Sequence, residues 1–266
     1  FCTEIIRFGC VIPQEGKFYM VFGYVYEAGL RPTNQDAVLV RSTRLSSGEL
    51  TMAVVCDGMG GEECGERASY ECIRFLDTWY DRELLPIFTK HELDHAGRKR
   101  MVRTKGTAAF YDINKYLFSL MRKKEGRLGT TASVCILYRN EYYILHIGDS
   151  RIYFAKRMAG QTFFFGRTKD HALYHRLTKC LGLNRDYKPD YIAGRIWFLH
   201  IFQAAVLLCT DGFYKKYEKR VWKECLDIRQ MTDENAICRR LKELAMDNLK
   251  RQEKDNISAI WLNMSS

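Results

Sequence analysis

Asp57, Asp149 and Asp211 each close an apolar run: TMAVVC ends at Asp57, YYILHIG at Asp149 and AAVLLCT at Asp211. Asp255, followed by Asn256, stands just before a fourth run, ISAIWL, and Asp36 opens a fifth, DAVLV. If neighbouring strands bring these ends together, several carboxylates converge on one edge. Two carboxylates ~4 Å apart repel by ~4 kcal/mol at the effective dielectric of protein sites, a large share of a domain's net stability. Such a cluster requires cations. Carboxylate, carbonyl and water oxygens are the ligands Mg²⁺ and Mn²⁺ prefer, whereas zinc favours His or Cys. Gly58, Gly60 and Gly61 would let the backbone turn sharply after Asp57 and present a carbonyl to an ion. Taken singly, an Asp-Gly pair is more often a plain turn than a ligand. The joint placement at strand borders is what points to a metal site.

The elements that must hold these residues are legible as periodicities. Helical spacing of apolar residues runs through 65–80 (Ala68, Cys72, Phe75, Leu76, Trp79), 107–124 (Phe110, Ile113, Leu117, Leu120, Met121) and 235–250 (Ile237, Leu241, Leu244, Leu249). Short β-rich runs lie between them at 19–26, 36–40, 51–56, 131–138, 142–148, 151–155, 204–210 and 257–262, bounded by Gly, Asn and Asp. The pair CILYRNEYYILHIG predicts a hairpin around Arg139 to Glu141. Strands that follow one another directly, with helices grouped early and late, predict an α+β protein of antiparallel sheets with helices packed outside. No repeat or linker interrupts the chain, so residues 1–266 read as one domain.

Composition narrows the class. With 266 residues, 47% hydrophobic and 28% charged, the chain can bury a core without staples. Its ten cysteines form no C-x-x-C pair, which argues against a zinc ribbon. Cys56, Cys135 and Cys209 sit inside apolar runs, as free thiols do, and predict a reducing, cytoplasmic setting. The run from Ile196 to Cys209 is broken by His200 and Gln203 and is shorter than the ~20 residues of a spanning helix, so no membrane partner is expected. The formal charge of +10 is scattered rather than striped. It predicts a solvated surface favouring acidic or phosphorylated partners, not nucleic acid.

Six segments, GLRPTNQDAVLV, AVVCDGMGGEECGERAS, GTTASVCILYRNEYYILHIGDSRIY, KDHALYHRLTKCLG, LLCTDGF and KDNISAIWL, carry a specific likeness. In order and spacing the chain resembles the metal-dependent protein phosphatases of type 2C, particularly the bacterial serine/threonine phosphatases. The likeness runs from Gly23 to Leu262, with residues 1–22 as an N-terminal extension and first strand. It implies a four-layer α-β-β-α sandwich of two antiparallel sheets, with two Mn²⁺ or Mg²⁺ ions at one end. It implies that Asp57 bridges both ions, that the Gly58 carbonyl ligates one, and that Asp211 and Asp255 complete the first ion's site. Asp36 would act on the ions' water ligands, Arg31 would grip the substrate phosphate, and Asp149 would hold a weaker third ion. Asp57 and Arg31 are thus the implied catalytic residues. The implied reaction is hydrolysis of phosphoserine and phosphothreonine in proteins, the targets of a serine/threonine kinase, by a water between the two ions. A monomer is expected.

Three positions depart from the family pattern. Met59 and Glu62 stand where relatives carry a histidine, Lys215 stands where relatives carry a further Asp, and the stretch from His171 to Gly182 is short for a flap. The basic stretch from Thr89 to Thr104 reads as an irregular loop able to border a substrate. Two other readings compete. A degenerate phosphatase could serve as a binding module, and HELDH (His91 to His95) matches the H-E-x-x-H of zinc proteases. The surroundings of HELDH lack an apolar helical face, and His171 with His175 lacks a third ligand.

Overall fold

A computed structural model describes residues 20–60, 62–89, 93–121, 128–174, 176–182, 188–196, 203–217 and 226–264. The chain begins with β1 (Val21–Glu27), β2 (Asp36–Leu45) and β3 (Gly48–Met59), then α1 (Glu62–Trp79), a π turn (Tyr80–Leu84), α2 (Leu85–Thr89) and α3 (His95–Met121). A run of strands follows: β4 (Gly129–Thr130), β5 (Ala132–Tyr138), β6 (Glu141–Ile147), β7 (Arg151–Met158), β8 (Gln161–Gly166), β9 (Ala172–Leu173), β10 (Arg176–Leu177), β11 (Asp190–Arg195) and β12 (Ala204–Cys209). The short α4 (Asp211–Tyr214), a 3₁₀ turn (Ile228–Gln230), α5 (Glu234–Lys250) and β13 (Ile257–Met264) complete it.

Two antiparallel sheets result. One has the order β1-β13-β12-β7-β8, the other β11-β6-β5-β3-β2 with β4 on the end of β3. Because side chains alternate along a strand, each sheet buries both faces. Val38, Val40, Ala53, Val55, Cys135 and Leu137 of one sheet meet Ile152, Phe154, Val206, Leu208, Ile260 and Leu262 of the other. The alternate residues Leu39, Met52, Val54, Val134 and Ile136 pack under Cys72 and Leu76 of α1 and Phe110, Ile113 and Leu117 of α3. On the far side Leu207, Ala259 and Trp261 pack under Ile237, Leu241 and Leu244 of α5. This is the expected four-layer α-β-β-α sandwich. Double-sided burial also explains why these strands read as unbroken apolar runs, and each fully buried Leu or Val contributes ~1.5–3 kcal/mol.

Three elements differ from the sequence reading. Helix α3 starts at His95, so Arg98 to Thr104 is helical and not an irregular loop. Asp94 caps it, its Oδ1 accepting from Gly97 N at 2.7 Å. The residues facing the sheet there are small: Val102 is buried, and a Cβ on Gly106 would lie 2.5 Å from Leu145 Cδ1. A face built from Val and Gly leaves no stripe of large apolar residues to read. The hairpin, by contrast, falls where expected, its turn made by Arg139 and Asn140 with Arg139 at φ 55°. Finally, β8 and β11 are half-exposed edge strands whose mixed composition hid them. Among the described residues no helix is long and apolar enough to cross a membrane.

Candidate metal centre

Strand register alone gathers the five aspartates. In the antiparallel pair β2–β3, Asp36 lies directly across from Asp57. On the other sheet Cys209 of β12 pairs with Arg151 of β7 and with Ala259 of β13. Asp211 therefore leaves β12 at the end where Asp149 leads into β7 and Asp255 leads into β13. The two sheets are joined at this edge by Thr210, whose Oγ1 donates to Asp36 Oδ2 at 2.9 Å. Carboxylate oxygens of Asp57, Asp149 and Asp211 lie within 4.8 Å of one another. Asp36 is 2% exposed and Asp211 8%.

The electrostatics are those of a cluster whose negative charge Lys215 and Arg31 offset only in part. Burial, reinforced by Asp211 and Asp255, pushes Asp36 up to about 7. Burial and then Asp211, Asp36, Asp149 and Asp255 drive Asp57 well above the usual carboxylate range. Asp149 is raised to about 6 by burial and by Asp211, and Asp211 is raised by burial although Lys215 opposes the shift. Asp149 Oδ1 and Asp211 Oδ1 are buried with no hydrogen-bond partner among the described residues. An orphaned buried carboxylate oxygen costs several kcal/mol unless something cationic meets it. The donor set is oxygen throughout, with no His or Cys in the group. These residues fit hard divalent cations such as Mg²⁺ or Mn²⁺, whose charge would reverse the upward shifts.

Neighbouring residues hold the carboxylates in place. A Cβ on Gly58 would stand 2.1 Å from the Gly65 carbonyl oxygen, and one on Gly212 would stand 2.1 Å from that of Asn256. Each Asp-Gly pair thus needs its glycine for close backbone approach, to α1 in one case and to the start of β13 in the other. Asn256 clasps the loop carrying Arg31: its Nδ2 donates to the carbonyls of Ala28 (2.8 Å) and Thr33 (3.0 Å), and its Oδ1 accepts from Gln35 N at 2.9 Å. Arg31 itself is half-exposed at the rim, its Nε on the Lys254 carbonyl (3.1 Å) and one Nη 3.4 Å from Asp255 Oδ1. Asn248 of α5 donates to the carbonyls of Gly212 (3.2 Å) and Phe213 (2.9 Å), pinning α4 beneath Asp211. Tyr214 Oη donates to the Asp149 carbonyl at 3.0 Å, while the Arg151 guanidinium lies 3.7 Å over its ring.

Behind Asp57 and Asp149 lies a buried polar network. Thr131 Oγ1 accepts from Asp57 N at 2.9 Å and meets Ser150 Oγ at 2.7 Å, and Ser133 Oγ lies 2.8 Å from His146 Nδ1. His171 Nδ1 accepts from Gly148 N at 3.1 Å, so its Nε2 carries the proton toward Asp190 Oδ2 at 3.1 Å. His146 stacks on His171 at 5.1 Å and is lowered to about 4 by burial. Apart from His171, weighed with His175 as a metal ligand, and Asn256, noted beside Asp255, these supporting residues did not stand out in the sequence, because a lone Thr, Ser or Tyr has no spacing signature. The glycines beside the aspartates were the one available signal.

All seven residues singled out in the sequence are at this edge. Asp57, Asp149 and Asp211 form its tightest group, Asp36 and Asp255 flank it, Gly58 follows Asp57 into the last pair of β3, and Arg31 stands over Asp255. Met59 ends β3 and Glu62 opens α1. His171 precedes the β9–β10 hairpin and serves the Gly148 turn. Of the HELDH stretch, His91 and Glu92 lie outside the described residues, while His95 opens α3 with its Nδ1 3.1 Å from Glu141 Oε1. His175 also lies outside them.

Comparison with known proteins identifies the family and the fold. The family described as Protein phosphatase 2C matches residues 31–252. The serine/threonine phosphatase stp of Listeria monocytogenes is 24% identical over 204 residues, covering 70% of this chain and 75% of its own length. Among solved structures, the Mycobacterium tuberculosis serine/threonine phosphatase PstP/Ppp has a TM-score of 0.69 at 20% identity, covering 93% of this chain and 99% of that one. The S. agalactiae serine/threonine phosphatase has a TM-score of 0.70 at 19% identity, covering 92% and 99%. At these identities the structural likeness is one of fold.

Proposed function

Because this chain belongs to the protein phosphatase 2C family, we propose that it hydrolyses phosphoserine and phosphothreonine in proteins at the Asp36–Asp57–Asp149–Asp211–Asp255 edge, with two Mn²⁺ or Mg²⁺ ions. The observation carrying this reading is the convergence of five carboxylates, two of them with orphaned buried oxygens, beside an exposed arginine. Such ions, when bound, supply an acidified water as nucleophile and neutralise the phosphoryl oxygens.

The chain's own residues do the rest. Asp57, extending from β3 between the two sheets, would hold both ions, with the Gly58 carbonyl beside it. Asp211 and Asp255 would complete one ion's shell, and Asp36 would orient water. Asp36 is suited to that because Thr210 already fixes one of its oxygens. Arg31, steadied by Lys254 and Asp255, would take two phosphate oxygens with the exposed part of its fork. Met59 has no proton to give, so the leaving serine or threonine oxygen takes its proton from water. We place the chain in the cytoplasm as one catalytic domain acting on kinase targets. The free thiols of all the described cysteines support that setting.

Hydrolysis of a phosphothreonine peptide with Mn²⁺, with EDTA, and in Asp57→Ala and Asp211→Ala tests the proposal. Activity that needs Mn²⁺ and is lost in both variants is expected. Activity surviving EDTA or Asp211→Ala overturns the mechanism, and no activity with any ion favours a binding module.

A further inference from the structure

Lys215 is a cation already inside the carboxylate cluster. It follows α4, four residues after Asp211, and its Nζ contacts Asp211 Oδ2. Its charge also acts on Asp255 and Asp57, and on Asp149. An i, i+4 pair on a helix surface is usually a minor ornament. Three facts set this one apart. Asp211 is buried, with 11% of its side chain exposed. The backbone that carries Lys215 is fixed, since its N–H donates to the Asp211 carbonyl at 2.9 Å and Asn248 and Tyr214 pin the preceding turn. Asp211 is also divided between its two oxygens: Oδ2 meets the ammonium, while Oδ1 is buried with no hydrogen-bond partner among the described residues, and the carboxylate is one of the group with Asp57 and Asp149.

A divalent ion can therefore reach Asp211 through Oδ1 without displacing Lys215. An additional ion held jointly by Asp149 and Asp211 has no such freedom. It would have to approach a carboxylate whose second oxygen is engaged, against a positive charge a few ångströms away. Like charges at such distances in a partly buried site repel by several kcal/mol.

We propose that Lys215 is a built-in counter-ion that fixes the cluster's capacity at two divalent ions and excludes a third from the Asp149–Asp211 side. This rests on the reading of the cluster as a two-ion site. Its consequence is a centre whose composition does not change as Mn²⁺ rises beyond saturation of those two positions.

The test is Mn²⁺ binding to the full metal-free chain, counted by titration calorimetry and by electron paramagnetic resonance of the free ion. Wild type is expected to bind two ions. Lys215→Met, which keeps the alkyl stem and removes the charge, is expected to bind three, and Lys215→Asp to bind the third about tenfold more tightly than Lys215→Met. Lys215→Arg keeps the charge and is expected to stay at two. Thermal melts followed by circular dichroism check that each variant folds. Three ions on wild type, or two ions with unchanged affinity in both the Met and Asp variants, overturns the role of Lys215 and leaves the two-ion reading standing. No Mn²⁺ bound by wild type overturns both. Since the wild-type count is itself decisive, the proposal remains falsifiable even if a substitution unfolds the chain.

Discussion

Strand β6 and the turn after it carry a buried and a half-buried carboxylate with opposite fates. At one end, Glu141 is 3% exposed and fully met: Arg98 Nε and Nη2 donate to it at 2.9 and 2.7 Å, Tyr143 Oη donates as well, and His95 and Arg195 stand 3.1 and 3.8 Å away. Burial alone would raise Glu141, but these hydrogen bonds hold it down at about 2. At the other end, Asp149 is raised to about 6 by burial and Asp211, and one of its oxygens has no hydrogen-bond partner among the described residues. Glu141 ties the start of α3 to the sheet and is complete as folded. Asp149 belongs to a group that is incomplete without something positive from solution. Local electrostatics thus separate a carboxylate satisfied by the fold from one left uncompensated on the same few residues of chain.

The largest effect expected from breaking this contrast is on activity. Asp57→Asn should reduce phosphopeptide hydrolysis by about 10³-fold or more, as loss of the central ligand of a metal-assisted hydrolysis does. Glu141→Gln should leave kcat within about twofold. Stability should move the opposite way. In the metal-free protein Asp57→Asn removes one repelling charge and raises Tm, each kcal/mol gained being worth roughly 2–4 °C at this chain size. Glu141→Gln strands Arg98 and destabilises the fold by about 3 kcal/mol, the cost of other broken buried pairs, which lowers Tm. Calorimetric melts of both variants in EDTA check this. Two shifts of the same sign would erase the distinction.

A second effect, smaller and spread over pH, follows from the directions of the shifts. Glu141 sits below its ordinary 4.5, so its contribution is complete above about 4.5 and is lost as pH falls toward 2. Asp36 and Asp149 sit above their ordinary 3.8, at about 7 and about 6. When folded they hold protons that the unfolded chain has released, so stability declines as pH rises from about 4 to 7. Melts of the metal-free protein should show Tm falling across that window, and saturating Mn²⁺ should abolish the fall. A Tm that rises from pH 4 to 7 without metal would mean the carboxylates are already compensated.

Much of this was readable in the sequence because the fold places its clustered carboxylates at strand ends, and strand ends are marked where an apolar run stops. Asp57, Asp149 and Asp211 are visible for that reason, as are the runs behind them. What escaped is what has no period. The first three turns of α3 face the sheet with Val102 and Gly106, whose smallness permits close packing and silences the helical pattern. Asn256, Asn248, Thr210 and Thr131 act through hydrogen bonds formed only after distant segments meet. The ion pair of Lys215 with Asp211 lay at readable i, i+4 spacing, but only their shared position beside three other carboxylates gives it meaning.

The smallest effect tests how rigidly the incomplete end is held. Tyr214 reaches from α4 to the Asp149 carbonyl, and Arg151, itself fixed by Asp170 at 2.7 Å, covers its ring. Tyr214→Phe removes the hydroxyl but keeps the ring and the cation over it. One neutral hydrogen bond contributes about 1 kcal/mol, so Tm should fall by roughly 2–4 °C. The bond also seats Asp211, at the start of the same α4, so the apparent Mn²⁺ affinity should weaken by a few-fold while KM for the phosphopeptide stays unchanged, the bond being made to Asp149 and not to Arg31. An unchanged Mn²⁺ titration would confine Tyr214 to stability and leave the geometry of Asp149 to the Gly148 turn and His171.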